Sequence, residues 1–314
     1  MDLEHCSRVI NKLRYAYKEI KKNKNNFAWW RDIVIIRRII CPILLPKNNG
    51  IYIVNEDWDN LIILDACRYD MFKELNTIEG LLEYRISRGT NTEEFLFENF
   101  SEEKYNDIVY VTANPFVSMH LKNKFYKLIP VWDKGWDEEK KTVLPSTMVK
   151  YTLDAFEKYP HKRFIVHFMQ PHYPFINFTT FPEFDLKEHV SAINKSKNKD
   201  VWDVIRERKK EKKAIGAYKD NIRLVLPYVQ KLVDTLPGKT VITADHGEAL
   251  GERLHYLFPM KFYGHPIPGL RMECLVKVPW LIIDKQRRKI IEEGGGEMPK
   301  IKEKLKKLKK EQRI

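Results

Sequence analysis

Two apolar runs that each stop at an aspartate constrain this chain more than any other feature. "NLIILDA" (Asn60 to Ala66) and "KTVITAD" (Lys239 to Asp245) are rich in branched aliphatic residues and end abruptly in a carboxylate. Continuous apolar runs of this length read as strands buried on both faces. "DIVYVTAN" (Asp107 to Asn114), "RFIVHFMQ" (Arg163 to Gln170) and "VPWLIID" (Val278 to Asp284) extend the set to five. Helical patterns fall between them, at Asp70 to Leu75, Thr92 to Phe100, Ser146 to Tyr159 and Tyr218 to Leu236. Strands alternating with helices predict an α/β fold around a largely parallel sheet. Ligands of such folds bind beyond the carboxyl ends of the strands. Asp65, His167 with His172, and Asp245 with His246 fall at or just past three of those ends.

At 314 residues and 43% apolar, the chain can bury a substantial core. Its net charge of +13 is uneven. Residues 1–48 carry 11 Lys/Arg against 4 Asp/Glu and residues 285–314 carry 12 against 5, which leaves residues 49–284 close to neutral. The sequence therefore divides into a basic, aromatic N-terminal helical segment (1–48), a near-neutral central domain (49–284) and a basic C-terminal tail (285–314). Basic arms suit an anionic membrane surface or nucleic acid. "WWRDIVIIRRIICPILLP" (Trp29 to Pro46) favours the membrane, as an interfacial segment interrupted by too many charges to span. The four cysteines (Cys6, Cys41, Cys67, Cys274) form no CxxC pair, which excludes a zinc–thiolate site and suggests a reducing compartment. Met1 to Lys24 is polar and charged, unlike a signal peptide. The expectation is a cytoplasmic protein, peripheral at the inner face of the membrane. The charged run Lys195 to Tyr218 reads as a solvated insertion, with a lid helix as the alternative.

Three short stretches carry chemistry. In "TADHGEALGER" (Thr243 to Arg253) a hard carboxylate, Asp245, stands beside an imidazole, His246, a pair suited to a divalent metal. In "HFMQPHYPF" two histidines five apart, His167 and His172, sit by a strand end, the second between Pro171 and Pro174. "YGHPIPG" offers His265 in another turn-rich loop. Each is weak by itself, because turns and helix caps use the same residues.

In the order "LIILDACRYD", "SRGTNTEEF", "HFMQPHYPF", "TADHGEALGER" and "YGHP…VPWLI", the chain resembles the alkaline phosphatase superfamily over about Asn60 to Asp284. It is most similar to the sulfatase-like branch, which includes archaeal sulfatase-like proteins and the phosphoethanolamine and phosphoglycerol transferases. The resemblance implies a three-layer α/β sandwich with helices on both sides of the sheet. It also implies one or two divalent metal ions, with Zn or Mn favoured and Ca or Mg as alternatives. Metal ligands fall on Asp65, Asp245 and His246, joined by His172 and His265 at a second ion. "GTNTEEF" resembles the threonine-nucleophile version, which selects Thr92 as nucleophile and metal contact, with Thr90 in reserve. His167 would contact substrate or protonate the leaving group, and Thr90 and Asn91 are candidates for substrate binding. Arg68 could steer an anionic substrate, but a salt bridge to Asp70 is the favoured reading. The expected substrate is a phosphorylated or sulfated glycan or lipid, the lipid suggested only by the basic, aromatic N-terminal segment.

Residue chemistry supports Thr92 independently. It precedes the helical run "EEFLFENF", as an N-cap threonine would, and a helix N-terminus favours oxyanions. Cys67 is the more conspicuous nucleophile, yet no Cx5R loop follows it, because Lys73 stands where the arginine would. Nor does "CRYDM" match the CxPSR-like context of formylglycine sulfatases. The sequence thus favours phosphoryl over sulfuryl transfer. A sulfatase and a catalytically inert polyanion-binding protein of the same fold stand as the alternatives.

Overall fold

The computed structural model of the chain describes residues 47–100, 104–178, 201–253, 261–265 and 268–290. The aromatic segment Trp29 to Pro46, the start of the charged run before Val201, and the tail beyond residue 290 lie outside the described residues.

The first half of the chain runs β1 (Asn60–Leu64), α1 (Tyr69–Leu75), β2 (Leu81–Ile86), α2 (Thr92–Asn99), β3 (Tyr105–Thr112), α3 (Pro115–His120) and β4 (Phe125–Pro130). There follow α4 (Val131–Lys134), the short β5 (Trp136–Asp137) and β6 (Thr142–Val143), α5 (Pro145–Lys158) and β7 (Arg163–Phe168). The rest comprises α6 (Val201–Glu207), α7 (Glu211–Thr235), β8 (Thr240–Thr243), β9 (Ala249–Arg253), β10 (Lys261–Gly264), α8 (Glu273–Val276) and β11 (Lys277–Ile283). Seven strands form one sheet in the order β2-β11-β8-β1-β7-β3-β4. Six strands run in one direction and β11 in the other, antiparallel to β2 and β8 on its two sides.

β1 is central, parallel to β7 on one side and β8 on the other, and all five of its residues are buried. Its alternating side chains feed two cores. Ile62 and Leu64 meet Phe72 of α1, Phe156 of α5 and Val225 and Leu232 of α7. Leu61 and Ile63 meet Phe95 and Leu96 of α2 and Val117 of α3. Helices therefore cover both faces, which makes the architecture the expected three-layer α/β sandwich. Each such aliphatic side chain contributes about 1.5–3 kcal/mol when withdrawn from water.

The five expected strands all form. The sequence did not reveal β2 and β4, which lie at the two edges of the sheet and are mostly half-exposed. An edge strand needs neither a continuous apolar run nor strict alternation, so its pattern fades into the background. The charged run departs from expectation more sharply. From Val201 it forms α6, whose Val201, Trp202, Val204 and Ile205 are buried, and then α7. Those apolar positions share one helix face, and the charges occupy the other. The first residues of the expected tail are docked on the sheet: Arg288 donates to the carbonyl of Asp59 at 2.8 Å and to Asn60 Oδ1 at 2.9 Å.

The turn after β1 delivers Asp65. Ala66 follows in the left-handed region at φ 57°, a conformation disfavoured for any residue with a Cβ. The buried Tyr218 of α7 secures it: the phenol donates to the Ala66 carbonyl at 2.6 Å and accepts from the Arg68 N–H at 3.0 Å. Replacing Tyr218 by Phe leaves both backbone groups buried and unpaired. The expected outcome is a loss of about 2 kcal/mol of unfolding free energy in urea, with an unchanged m-value.

Candidate active site

Asp65, Asp245 and His246 meet beyond the carboxyl ends of β1 and β8, all wholly or almost wholly buried. Asp245 Oδ1 accepts from the N–H groups of Ala66 (3.0 Å) and His246 (2.9 Å), while Oδ2 accepts from the Thr92 hydroxyl at 2.8 Å. Asp65 Oδ2 accepts from Asn114 Nδ2 at 2.6 Å, and its Oδ1 has no partner among the described residues. Burial alone would raise the Asp65 carboxyl. The neighbouring imidazoles of His167, His172 and His246 outweigh that and hold it well below the usual carboxylate range.

The tautomer of His246 follows from its surroundings. Nδ1 lies 2.7 Å from the Gly247 carbonyl, which can only accept, so that nitrogen carries the proton. Nε2 then turns a lone pair toward Asp245 Oδ2 at 3.4 Å and Asp65 Oδ1 at 3.8 Å. Asp65 Oδ1 and His246 Nε2 thus face one another beside the Asp245 carboxylate in a buried pocket, a donor set that suits a cation. Asp65, Asp245 and His246 each offer a ligand atom, and these atoms lie within 4.8 Å of one another. The glycine between His246 and Glu248 has a packing cause. A Cβ on Gly247 would lie 2.0 Å from the Cys274 carbonyl oxygen, so only glycine lets this turn press against α8.

A second group adjoins the first, since the His246 and His265 rings are 4.7 Å apart. It comprises His172, Glu248 and His265, whose donor atoms also lie within 4.8 Å of one another. His172 donates Nδ1–H to the Tyr173 carbonyl at 2.7 Å, which leaves Nε2 as an acceptor. Glu248 Oε1 accepts from the Trp202 indole at 2.6 Å, and Oε2 lies 3.2 Å from His265 Nδ1. Burial would raise this carboxyl, but the neighbouring imidazoles of His265, His172 and His246 hold it below its ordinary value. The loop carrying His172 is tied to α7 by Asn221, which accepts from Ile176 N–H at 3.0 Å and donates to the Pro174 carbonyl at 3.1 Å.

Thr92 reaches this centre from the first turn of α2. It does not cap the helix as its position suggested. Asn91 does, in extended conformation, with its side chain accepting from Glu94 N–H at 2.8 Å. The Thr92 hydroxyl is thereby released to Asp245, and it also lies 3.4 Å from His246 Nε2 and 3.4 Å from Asn114 Nδ2. His167 lies in β7, wholly buried beside both carboxylates. The residues marked for substrate binding have their polar groups engaged within the chain. Arg68 pairs with Asp70 at 2.7 Å and with Glu252, and donates to the Glu248 carbonyl at 3.1 Å. The Thr90 hydroxyl donates to Glu94 at 2.6 Å and accepts from Gly269 N–H at 2.9 Å, while Asn91 serves the cap.

Sequence reasoning missed Glu248 and Asn114. Glu248 stands in the quoted "DHGEALGER", one residue past the glycine. Asn114 ends the run "DIVYVTAN" as Asp65 and Asp245 end theirs, and Pro115 after it signals a helix start. Its Oδ1 accepts from Phe116 N–H at 2.9 Å, which fixes the amide with Nδ2 aimed at Asp65 and Thr92.

No protein-family model matches the chain, and no curated protein does. Solved structures similar to it include the C-terminal periplasmic domain of EptC from Escherichia coli in complex with zinc, at 10% identity, 78% of each chain and TM-score 0.46. The lipooligosaccharide phosphoethanolamine transferase EptA from Neisseria meningitidis matches at 11% identity, over 90% of this chain and 60% of that one, with TM-score 0.47. An alkaline phosphatase superfamily protein from Vibrio parahaemolyticus matches at 12% identity, over 79% and 65%, with TM-score 0.43. The Vibrio parahaemolyticus structure is described by the same superfamily name that the sequence motifs resemble. The expectation of a cytoplasmic protein is corrected here: three of the similar structures are of periplasmic domains. Cysteine spacing and a polar first segment had suggested otherwise, and neither reports directly on the compartment of a folded domain. No helix among the described residues is long and apolar enough to cross a membrane.

Cys67 is wholly buried, and burial together with the charges of Asp70 and Asp245 pushes its thiol far above the ordinary range. Iodoacetamide applied to the native protein is expected to leave Cys67 unmodified by peptide mass spectrometry, and to label it only after denaturation.

Proposed function

We propose that this chain is a metal-dependent phosphoester hydrolase or phosphotransferase with Thr92 as its nucleophile. One observation carries the reading. The Thr92 hydroxyl donates to Asp245, within 3.4 Å of His246 Nε2 and Asn114 Nδ2, in a buried pocket where an Asp65 carboxylate oxygen has no hydrogen-bond partner among the described residues.

Asp65, Thr92, Asp245 and His246 would hold one divalent cation, and His172, Glu248 and His265 a second. Mixed imidazole and carboxylate donors favour Zn²⁺ or Mn²⁺ over Ca²⁺ or Mg²⁺. Such cations supply Lewis-acid charge that offsets the phosphoryl oxygens and lowers the pKa of a bound hydroxyl. The chain's own residues do the rest. Thr92 Oγ1 forms a bond to phosphorus as the bond to the leaving oxygen breaks, and its proton departs along the hydrogen bond to Asp245. Asn114 Nδ2, held by its own cap, donates toward the oxygens around Thr92. When the second cation is not held, a protonated His265 on the partly open side gives its proton to the leaving oxygen, a task for which the buried His167 has no access; when it is held, the leaving oxygen takes its proton from water. Water or an acceptor hydroxyl then attacks phosphorus and breaks the bond to Thr92 Oγ1, which regenerates the hydroxyl. The substrate class is a phosphate ester on a lipid or glycan.

The test is turnover of an aryl phosphate monoester, an aryl phosphate diester and an aryl sulfate by the full chain with Zn²⁺ or Mn²⁺. Phosphate ester cleavage is expected, lost with EDTA and restored by metal. Thr92→Ala should lower it by roughly a thousandfold or more, Cys67→Ala should leave it in place, and a phosphorylated Thr92 peptide should be recoverable after acid quench. Turnover of the sulfate alone would replace this reading by a sulfatase, and a folded, metal-loaded protein inert to all three by a binding protein. A dead Cys67→Ala beside an active Thr92→Ala would sink the threonine assignment.

A further inference from the structure

Two imidazoles flank the carboxylates of Asp65 and Asp245, and their inner nitrogens meet opposite partners. His246 donates Nδ1–H to a carbonyl, so its neutral ring carries the lone pair on Nε2. His167 Nδ1 lies 3.0 Å from the phenol oxygen of Tyr110 in β3, the strand beside β7. Tyr110 is wholly buried, and this imidazole is the one hydrogen-bond partner of its hydroxyl among the described residues. A carbonyl can only accept, whereas a phenol has a proton of its own to place. Were Nδ1 the donor, that O–H would be buried without an acceptor, an arrangement folded proteins avoid. The phenol therefore donates to Nδ1, and the proton of the neutral ring resides on Nε2. That N–H faces Asp65 Oδ2 at 3.5 Å and Asp245 Oδ2 at 3.8 Å, too far for a good hydrogen bond but the right polarity for two carboxylates.

We infer that Tyr110 and His167 form a buried positioning pair. The phenol locks His167 as its Nε2–H tautomer, and that N–H steers the two carboxylates from within the sheet, leaving His246 as the imidazole able to ligate a cation between them. His167 then neither ligates metal nor touches substrate, because a protonated Nε2 has no lone pair to offer and the ring has no exposure. The consequence for metal affinity rests on the metal-dependent reading above; the tautomer does not.

The test begins with long-range ¹H–¹⁵N correlation spectra of the full, metal-free chain labelled at histidine. The expected pattern for His167 is a protonated Nε2 and an unprotonated Nδ1, and Tyr110→Phe, which keeps the ring and removes the donor, should disturb that pattern while the fold persists by circular dichroism. An unprotonated Nε2 in the wild type overturns the inference, whether or not the protein binds metal. Calorimetric titration with Zn²⁺ supplies the second readout. Tyr110→Phe and His167→Asn are expected to weaken binding about tenfold or more. His167→Gln, whose amide reaches the Nε2 position, should recover much of what His167→Asn loses. Equal losses in the Gln and Asn variants, with a Zn²⁺-induced shift of the wild-type His167 Nε2 signal, would make His167 a ligand and overturn the assignment. A wild-type chain that binds no Zn²⁺ refutes the metal-dependent function instead, and the tautomer spectrum still decides this inference.

Discussion

The carboxylate of Asp245 is the interaction on which the rest of the site depends. A buried charge is tolerated only when its lone pairs are satisfied, and this one takes two backbone N–H groups and one hydroxyl, each from a different part of the local structure. The Ala66 N–H brings in the turn after β1, the His246 N–H shapes the turn after β8, and the Thr92 hydroxyl brings in the start of α2. Its backbone carbonyl accepts from Ser87 as well, which ties in the segment that leads to α2. The left-handed Ala66 is the local cost of this convergence. Tyr218, reaching in from α7, holds the same turn from the opposite side.

What collects around that carboxylate is an excess of acceptors. The carbonyls of Gly247 and Tyr173 each consume an Nδ1–H, which turns the Nε2 lone pairs of His246 and His172 outward. The Phe116 N–H consumes the acceptor of Asn114, which leaves its donor to Asp65 and Thr92. Backbone groups thus set the polarity of the clustered side chains. Orientation obtained this way is rigid, because the backbone groups belong to strand ends and helix caps that cannot turn independently. The second acceptor group is held by the tertiary fold in the same manner. Trp202 of α6 grips Glu248, and Asn221 of α7 grips the loop bearing His172.

Much of this architecture is legible in the sequence, because buried central strands leave a strong mark. "NLIILDA" and "KTVITAD" are apolar throughout since both faces of the sheet are covered, and a polar residue after such a run must lie at the strand's end. Asp65, Asp245 and His246 are readable for that reason. Edge strands such as β2 and β4 carry no such mark. The charged run from Val201 misled for a related reason: its apolar face is four residues among many lysines, and its burial depends on a core assembled from distant elements. Arg68 was read in part as steering a substrate, whereas its guanidinium braces Asp70, Glu252 and the turn at Glu248.

The sequence by itself determined the α/β alternation, the parallel core, and the identity of the carboxylates and imidazoles at the strand ends, since hydrophobic periodicity reports burial along a single element. Only the tertiary structure decided which residue caps α2, which way each imidazole and amide is turned, and that Glu248, Asn114 and Tyr110 join the centre. Those properties depend on which donor meets which acceptor across separations of tens to hundreds of residues. No local pattern encodes such pairings; the packed sheet and its covering helices create them.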